Sequence, residues 1–281
     1  MSHASVVDLV TAEGAGYRDL YYRWEREQWE AGKIDLDADA EAWQRLDAIE
    51  RRRIVDAVDW RRVKAERATA ALVAFVDAAP AEEQQVFLTT QLVDEARAGV
   101  FLDRVADVVF GAIEGDMEAR SMAATAGLDD GIETLLDVAL SQASARLRTG
   151  NDTAELVRAI ACYHLGVVGA LGLTELAALA RQTGAGTGLP GLKEGWSKIE
   201  RDATRHVAFA LLFLEEVAVT AGHEKALERG LADALPRVLE TLAERAFGPP
   251  GLLYAEELGD RARNELATWL RTVNLRVAAI S

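Results

Sequence analysis

Two stretches of the chain repeat one another: Asp94-Glu95-Ala96-Arg97-Ala98-Gly99-Val100-Phe101 and Asp202-Ala203-Thr204-Arg205-His206-Val207-Ala208-Phe209. They share the skeleton Asp-x-x-Arg-x-x-x-Phe, and merging them gives Asp-Glu-x-Arg-His. In the merged form Glu and His stand three residues apart, on one face of a helix. A helical bundle that holds two metal ions uses such a pair twice and takes one further Glu from each of two other helices. Carboxylates and imidazoles suit iron and manganese, being hard to borderline donors that leave positions open for oxygen. Here each copy holds a different half. The first has Glu95 with Ala98, and the second has His206 with Ala203.

Outward from these segments the chain reads as helix almost throughout. Apolar residues recur at heptad-like spacing, and strand-like alternation is nearly absent. Only 5 of 281 residues are Pro, and Ala, Leu, Glu and Arg dominate, the composition of long helices. A first helix is predicted over about 13–30, with aromatic residues at Tyr21, Tyr22, Trp24 and Trp29. Asp35 and Asp37 mark a turn, and a long helical stretch, with room for one break, follows over about 39–77. Pro80 stands where the next helix begins, and that helix carries the first motif to about residue 113. Breaks come at Gly127 with Asp129-Asp130 and at Gly150-Asn151-Asp152. The helix after them reaches about Gln182 and ends in a Gly-rich run over 184–191. No strand precedes that run and no Lys-Ser/Thr ends it, so it reads as an interhelical loop and not a phosphate cradle. A helix over about 192–220 carries the second motif, and Gly248-Pro249-Pro250-Gly251 separates the final pair. The fold class is all-α. Helices of about thirty residues are ~45 Å long, which suits one elongated bundle. A single domain over 1–281 is expected, with its core over about 47–221, an N-terminal arm over 13–46 and C-terminal helices over 223–278.

A formal net charge of -15 provides no basic stripe for a phosphate backbone and excludes a nucleic-acid partner. Cys162 is the single cysteine, so neither a disulfide framework nor a thiolate metal cluster is available within the chain. No basic-then-apolar segment opens the sequence, and no export signal is expected. The most apolar stretch, about residues 159–173, is interrupted by His164 and is too short for a membrane span. It reads as a buried core helix in a cytoplasmic protein.

Three separated motifs carry a family resemblance. They are Trp24-Glu25 … Ile34-Asp35 … Trp43, then Leu88-Thr89-Thr90-Gln91-Leu92-Val93-Asp94-Glu95-Ala96, then Tyr163 … Val167-Val168-Gly169 … Leu171 … Thr174. In that order, over about residues 17–216, the chain resembles the ferritin-like family of ligand-binding oxidases that look like ribonucleotide reductase small subunits. The resemblance implies a ferritin-like four-helix bundle with flanking helices and a homodimer. In active members it implies an oxygen-activating two-metal site beside a fatty-acid-like ligand. Carried over position by position, it makes Glu66 the first-helix carboxylate, Glu95 a bridging Glu and His206 the second imidazole. The other three ligand positions hold Ala98, Val168 and Ala203. In the family pattern the Asp of one motif orients the His of the other. Asp94 is therefore expected to accept a hydrogen bond from His206, and Asp202 to lack its imidazole at Ala98. Arg97 and Arg205 are expected to neutralise Asp202 and the glutamates. Tyr163 matches a family tyrosine near the metals. His164, one turn before Val168, is either a replacement imidazole or a satisfied core histidine.

With three of the six ligand positions apolar, a di-iron centre is not expected. One reading has an apolar or fatty-acid-like molecule bound in the bundle, in space opened by Ala98, Val168 and Ala203, because buried carboxylates without metal repel one another and suffer desolvation. A second has an oxidoreductase working with one Fe, Mn or Zn ion on Glu66, Glu95 and His206. A third has a non-catalytic structural partner, paired with itself or with an intact di-iron paralogue through the aromatic N-terminal helix.

Overall fold

The computed structural model describes residues 4–111, 122, 125–128, 130–150, 152–184, 188–244 and 254–275. Among the described residues there is helix and loop but no strand. The elements are α1 (Val6–Thr11), α2 (Tyr17–Arg26), a 3-10 turn (Ala31–Lys33), α3 (Asp37–Trp43), α4 (Ala48–Ala78) and α5 (Glu82–Val108). Next, α6 (Asp130–Leu136) runs through a π-helical turn (Asp137–Gln142) into α7 (Ala143–Thr149). The third long rod is α8 (Thr153–Ile160), a π-helical stretch (Ala161–Leu173) and α9 (Thr174–Gly184). The fourth is α10 (Pro190–Phe213), extended by π-helical Leu214–Val219, and α11 (Glu224–Glu244) and α12 (Tyr254–Thr272) complete the chain. In the central bundle α4 packs on α5, and α10 on the π-helical stretch and α9; α11 and α12 cover the outside of that stretch, and α2 lies across α5 and α10.

The helical stretch predicted over 39–77 has one break, because Asp47 starts a new helix. Its carboxylate accepts the N–H groups of Ile49 and Glu50 at 2.8 Å each, and Glu50 returns to the Asp47 N–H at 3.1 Å, a reciprocal cap that satisfies otherwise orphaned donors. The first helix is shorter than predicted, ending at Arg26, and the second motif helix begins at Pro190. Asp39 fixes that start by accepting from Gly191 N at 2.8 Å and Leu192 N at 2.7 Å. Only Gly fits at 191, since a Cβ there would lie 2.1 Å from the Asp35 carbonyl oxygen. After the break at 150–152, Asp152 caps the next helix, accepting from Ala154 N at 2.9 Å. Asn151, Asp129, most of the Gly-rich loop's centre and the segment 248–251 lie outside the described residues.

Every residue of the π-helical stretch is buried. The helix Thr153–Ala180 is long and apolar enough to cross a membrane, but 89% of its most apolar window is buried inside the bundle, as a core helix should be. In α4 the buried residues Ala57, Arg61, Ala68, Ala71 and Phe75 form an inward stripe, and Lys64 falls in register with it at alternating spacings of three and four. That register aims Lys64 at the bundle centre.

Candidate functional site

The two motif copies meet from α5 and α10, and their aspartates and arginines build a common frame. Asp94 accepts hydrogen bonds from Trp24 Nε1 at 2.9 Å, from His206 Nε2 at 2.9 Å, and from both Arg97 and Arg205. Asp202 accepts from Trp29 Nε1 at 2.8 Å, Arg205 at 3.3 Å and Arg97 at 3.4 Å. Each aspartate thus holds one indole of the N-terminal arm and shares both guanidiniums. The Arg97 guanidinium also lies 5.1 Å from the Trp29 ring, within cation–π range. The Asp94–His206 bond is the one expected from the motif. Where Asp202 lacks an imidazole, Trp29 supplies a donor in its place.

Burial pushes the Asp94 carboxyl up, and Arg205, Arg97 and Trp24 pull it back. His206 is pushed down to about 3, by burial first and by Arg205 next, so its ring is neutral at neutral pH. With its Nε2 proton donated to Asp94, the Nδ1 lone pair is free to accept. Among the described residues it meets no hydrogen-bond partner.

Glu95 is neutralised by a residue that the sequence reading passed over. The Lys64 ammonium lies 2.9 Å from Glu95 Oε1 and 2.7 Å from Oε2, and the Tyr163 hydroxyl donates to Oε1 at 3.0 Å. Burial, then the Glu95 charge, hold the Tyr163 phenol well above its ordinary range. Glu66 is exposed. Helical residues two positions apart are separated by about 200° around the axis, so a chain that turns Lys64 inward turns Glu66 out. Arg97 and Arg205 pair with Asp202 as expected, and with Asp94 where the glutamates were expected. A second cation enters from the same helix one turn earlier. Arg61 pairs with buried Glu175, donates to the Gly172 carbonyl at 3.2 Å, and lies 4.6 Å and 5.5 Å from the Trp60 and Trp196 rings.

His164 is a buried core histidine with a partner on one ring nitrogen only, since its Nδ1 meets none among the described residues. Its Nε2 meets Gln91 Oε1 at 2.9 Å, its ring packs on Tyr163 and Phe209, and burial pushes it down to about 3. Ala98, Val168 and Ala203 do line one cavity, together with Lys64, Trp60 and Arg61, but its volume is about 30 Å³. That is room for about two waters. It is far below the ~300 Å³ at which ligand pockets begin. On the outer side of α4 and α5, Ala65, Glu66, Ala96, Gly99 and Val100 border an open cleft of about 690 Å³ that reaches Glu95.

No protein-family model and no curated protein matches the sequence. Solved structures do. An R2-like ligand-binding oxidase from Sulfolobus acidocaldarius matches with a TM-score of 0.75 at 19% identity, over 95% of each chain. A variant R2-like ligand-binding oxidase with an aerobically reconstituted Mn/Fe cofactor matches at 0.77 and 19% identity, over 98% of this chain and 99% of that one. Another variant, with an anaerobically reconstituted Mn/Fe cofactor, matches at 0.73 and 20% identity, over 96% and 95%. This chain has the fold of the R2-like ligand-binding oxidases. The three motifs that suggested it are therefore part of a likeness that runs nearly end to end.

The two variants carry a reconstituted Mn/Fe cofactor, and the residues here do not fit such a group. His206 Nδ1 is a suitable free donor. Against it, both Glu95 oxygens face an ammonium, and Ala98, Val168 and Ala203 have no donor atoms. Among the described residues no three His, Cys, Asp or Glu side chains gather closely enough to hold a metal ion.

Proposed function

We propose that this chain is a non-oxidase bearing the R2-like fold, a binding and assembly subunit whose bundle centre is closed by an internal ion pair. The Lys64 ammonium on Glu95 carries this reading. A carboxylate buried in a bundle requires a compensating charge, and here the chain supplies it from its own lysine. The direct test loads the full chain anaerobically with Mn(II) and Fe(II) and then admits oxygen. Uptake at the level of the metals in buffer alone is expected, and stoichiometric uptake by the protein would overturn the reading.

The partner we propose is a second copy of the chain, seated on α5. Val86, Thr89, Val93, Ala96 and Val100 are exposed along that helix at spacings of three and four, the seam of a paired helix. The valines are 42%, 46% and 54% exposed. An antiparallel copy would set each Val93 over the small Ala96 of the other. Two flanking acids, Glu83 and Asp103, are already paired with Arg18 and Arg62, which leaves this face nearly neutral on an acidic molecule. The aromatic arm is a poorer interface, since Trp24 and Trp29 point inward to the aspartates. Sedimentation of Val93→Lys should show monomers where the unaltered chain shows dimers.

The small-molecule reading is favoured by the outer cleft and not by the centre. Its 690 Å³ would take an apolar ligand that the 30 Å³ cavity would not. Native mass spectrometry of the purified chain tests it through co-purified mass.

A further inference from the structure

We infer that Lys64 is the residue that keeps divalent metal out of the bundle, and that it stands guard over a latent pair of ligands, Glu95 and His206. Three observations carry this. The ammonium donates to Glu95 Oε1 at 2.9 Å and stands 2.7 Å from Oε2 as an ion pair, so a cation can take the carboxylate only by displacing another positive charge. The His206 ring is held in place by its Nε2 bond to Asp94 at 2.9 Å, and its buried Nδ1 meets no partner among the described residues. A metal-binding imidazole is ordinarily oriented in this way, through its other nitrogen on a carboxylate. Asp94, which holds that ring, is the residue next to Glu95 on α5. Beside Lys64, Ala98 and Ala203 line a cavity of about 30 Å³, room for about two waters.

The inference rests on the non-oxidase reading but goes further, since it assigns exclusion to one side chain. Replacing Lys64 by Glu removes the blocking charge and adds a carboxylate, giving two carboxylates and one imidazole, a donor set suited to first-row divalent metals.

The experiment titrates Co(II) into the full-length chain and into Lys64→Glu, reading visible d–d absorption, with Zn(II) equilibrium dialysis for stoichiometry. The unaltered chain should show no saturable band, and Lys64→Glu should bind one ion per chain. Adding His206→Ala to that variant should weaken binding roughly a hundredfold or abolish it. If Lys64→Glu does not fold without metal, Lys64→Met decides, because Co(II) should raise its melting temperature and leave that of the unaltered chain unmoved. A folded Lys64→Glu that binds no ion, or binding insensitive to His206→Ala, overturns the inference and leaves the non-oxidase reading standing. One ion per unaltered chain, lost with His206→Ala, overturns both.

Discussion

The first motif copy, on α5, and the second, on α10, use their aspartates and arginines alike and their ligand positions differently. Asp94 and Asp202 each take an indole from the arm, and Arg97 and Arg205 each reach both aspartates. One residue further on, Glu95 is buried against Lys64, while Ala203 faces a small cavity and requires nothing. The difference separates two jobs that the motif combines. The aspartate–arginine frame ties the arm, α5 and α10 together whether or not a metal is present. The ligand positions are free to change, but a carboxylate left among them commits another helix to supply a cation.

The largest effects should come from the frame. Asp94→Ala strands two guanidiniums, an indole and an imidazole, and removing one partner from such a buried cluster costs about 3–5 kcal/mol. Asp202→Ala should cost about 2 kcal/mol, since its arginine contacts are longer, at 3.3 Å and 3.4 Å, and hydrogen bonds involving charged groups contribute about 1.5–3 kcal/mol. Urea unfolding measures both, and equal losses would break the comparison between the copies.

Next in size is the ion pair. Lys64→Met should cost about 3 kcal/mol by leaving Glu95 buried and unpaired, and adding Glu95→Gln should recover a large part of it. A double-mutant cycle reads the coupling directly; purely additive losses would mean that the two side chains do not depend on one another.

The histidines give a pH signature of intermediate size. His164 and His206 are both pushed down to about 3 from an ordinary value near 6.5, so the unfolded chain takes up their protons first. Their contribution is fully present above about pH 6.5 and falls as pH drops toward 3, by about 1.4 kcal/mol per pH unit for each ring. Buried Asp39 and Asp94 and half-buried Asp59, pushed upward, act in the opposite sense. The useful quantity is therefore the difference between the unaltered chain and His164→Gln, whose stability should fall less steeply by that amount. Identical slopes would show that His164 is already protonated in the fold.

Smaller effects sit at the edges of the site. Tyr163→Phe removes one hydrogen bond to a paired carboxylate and should cost about 1–2 kcal/mol. Glu66→Gln, on the exposed face, should change stability by less than about 0.5 kcal/mol. A loss at Glu66 comparable to that at Lys64 would put the wrong residue at the centre.

The bundle was readable because helix periodicity and the motif repeat are local patterns, and because Asp94 and His206 sit where their motif places them. Lys64 was missed for a definable reason. Choosing the first-helix position by residue type selects Glu66, the nearby acid, whereas the alternating three-and-four register of Ala57, Arg61, Ala68 and Phe75 selects Lys64. A break within 39–77 is legible, but its place before Ala48 is not, because the capping by Asp47 competes with continuous apolar spacing on both sides. The pairing of Trp24 and Trp29 with aspartates more than sixty residues away depends on tertiary packing, and no sequence spacing encodes it. The collapse of the expected ligand space is likewise a packing outcome: Ala98, Val168 and Ala203 open room that Lys64, Trp60 and Arg61 fill.

A crystal structure of the full chain grown with Mn(II) and Fe(II), with anomalous difference maps at both absorption edges, tests the central claim most directly. The account predicts Lys64 Nζ within hydrogen-bonding distance of both Glu95 oxygens and no anomalous peak between Glu95 and His206. A peak there, with Lys64 turned away from Glu95, would contradict it.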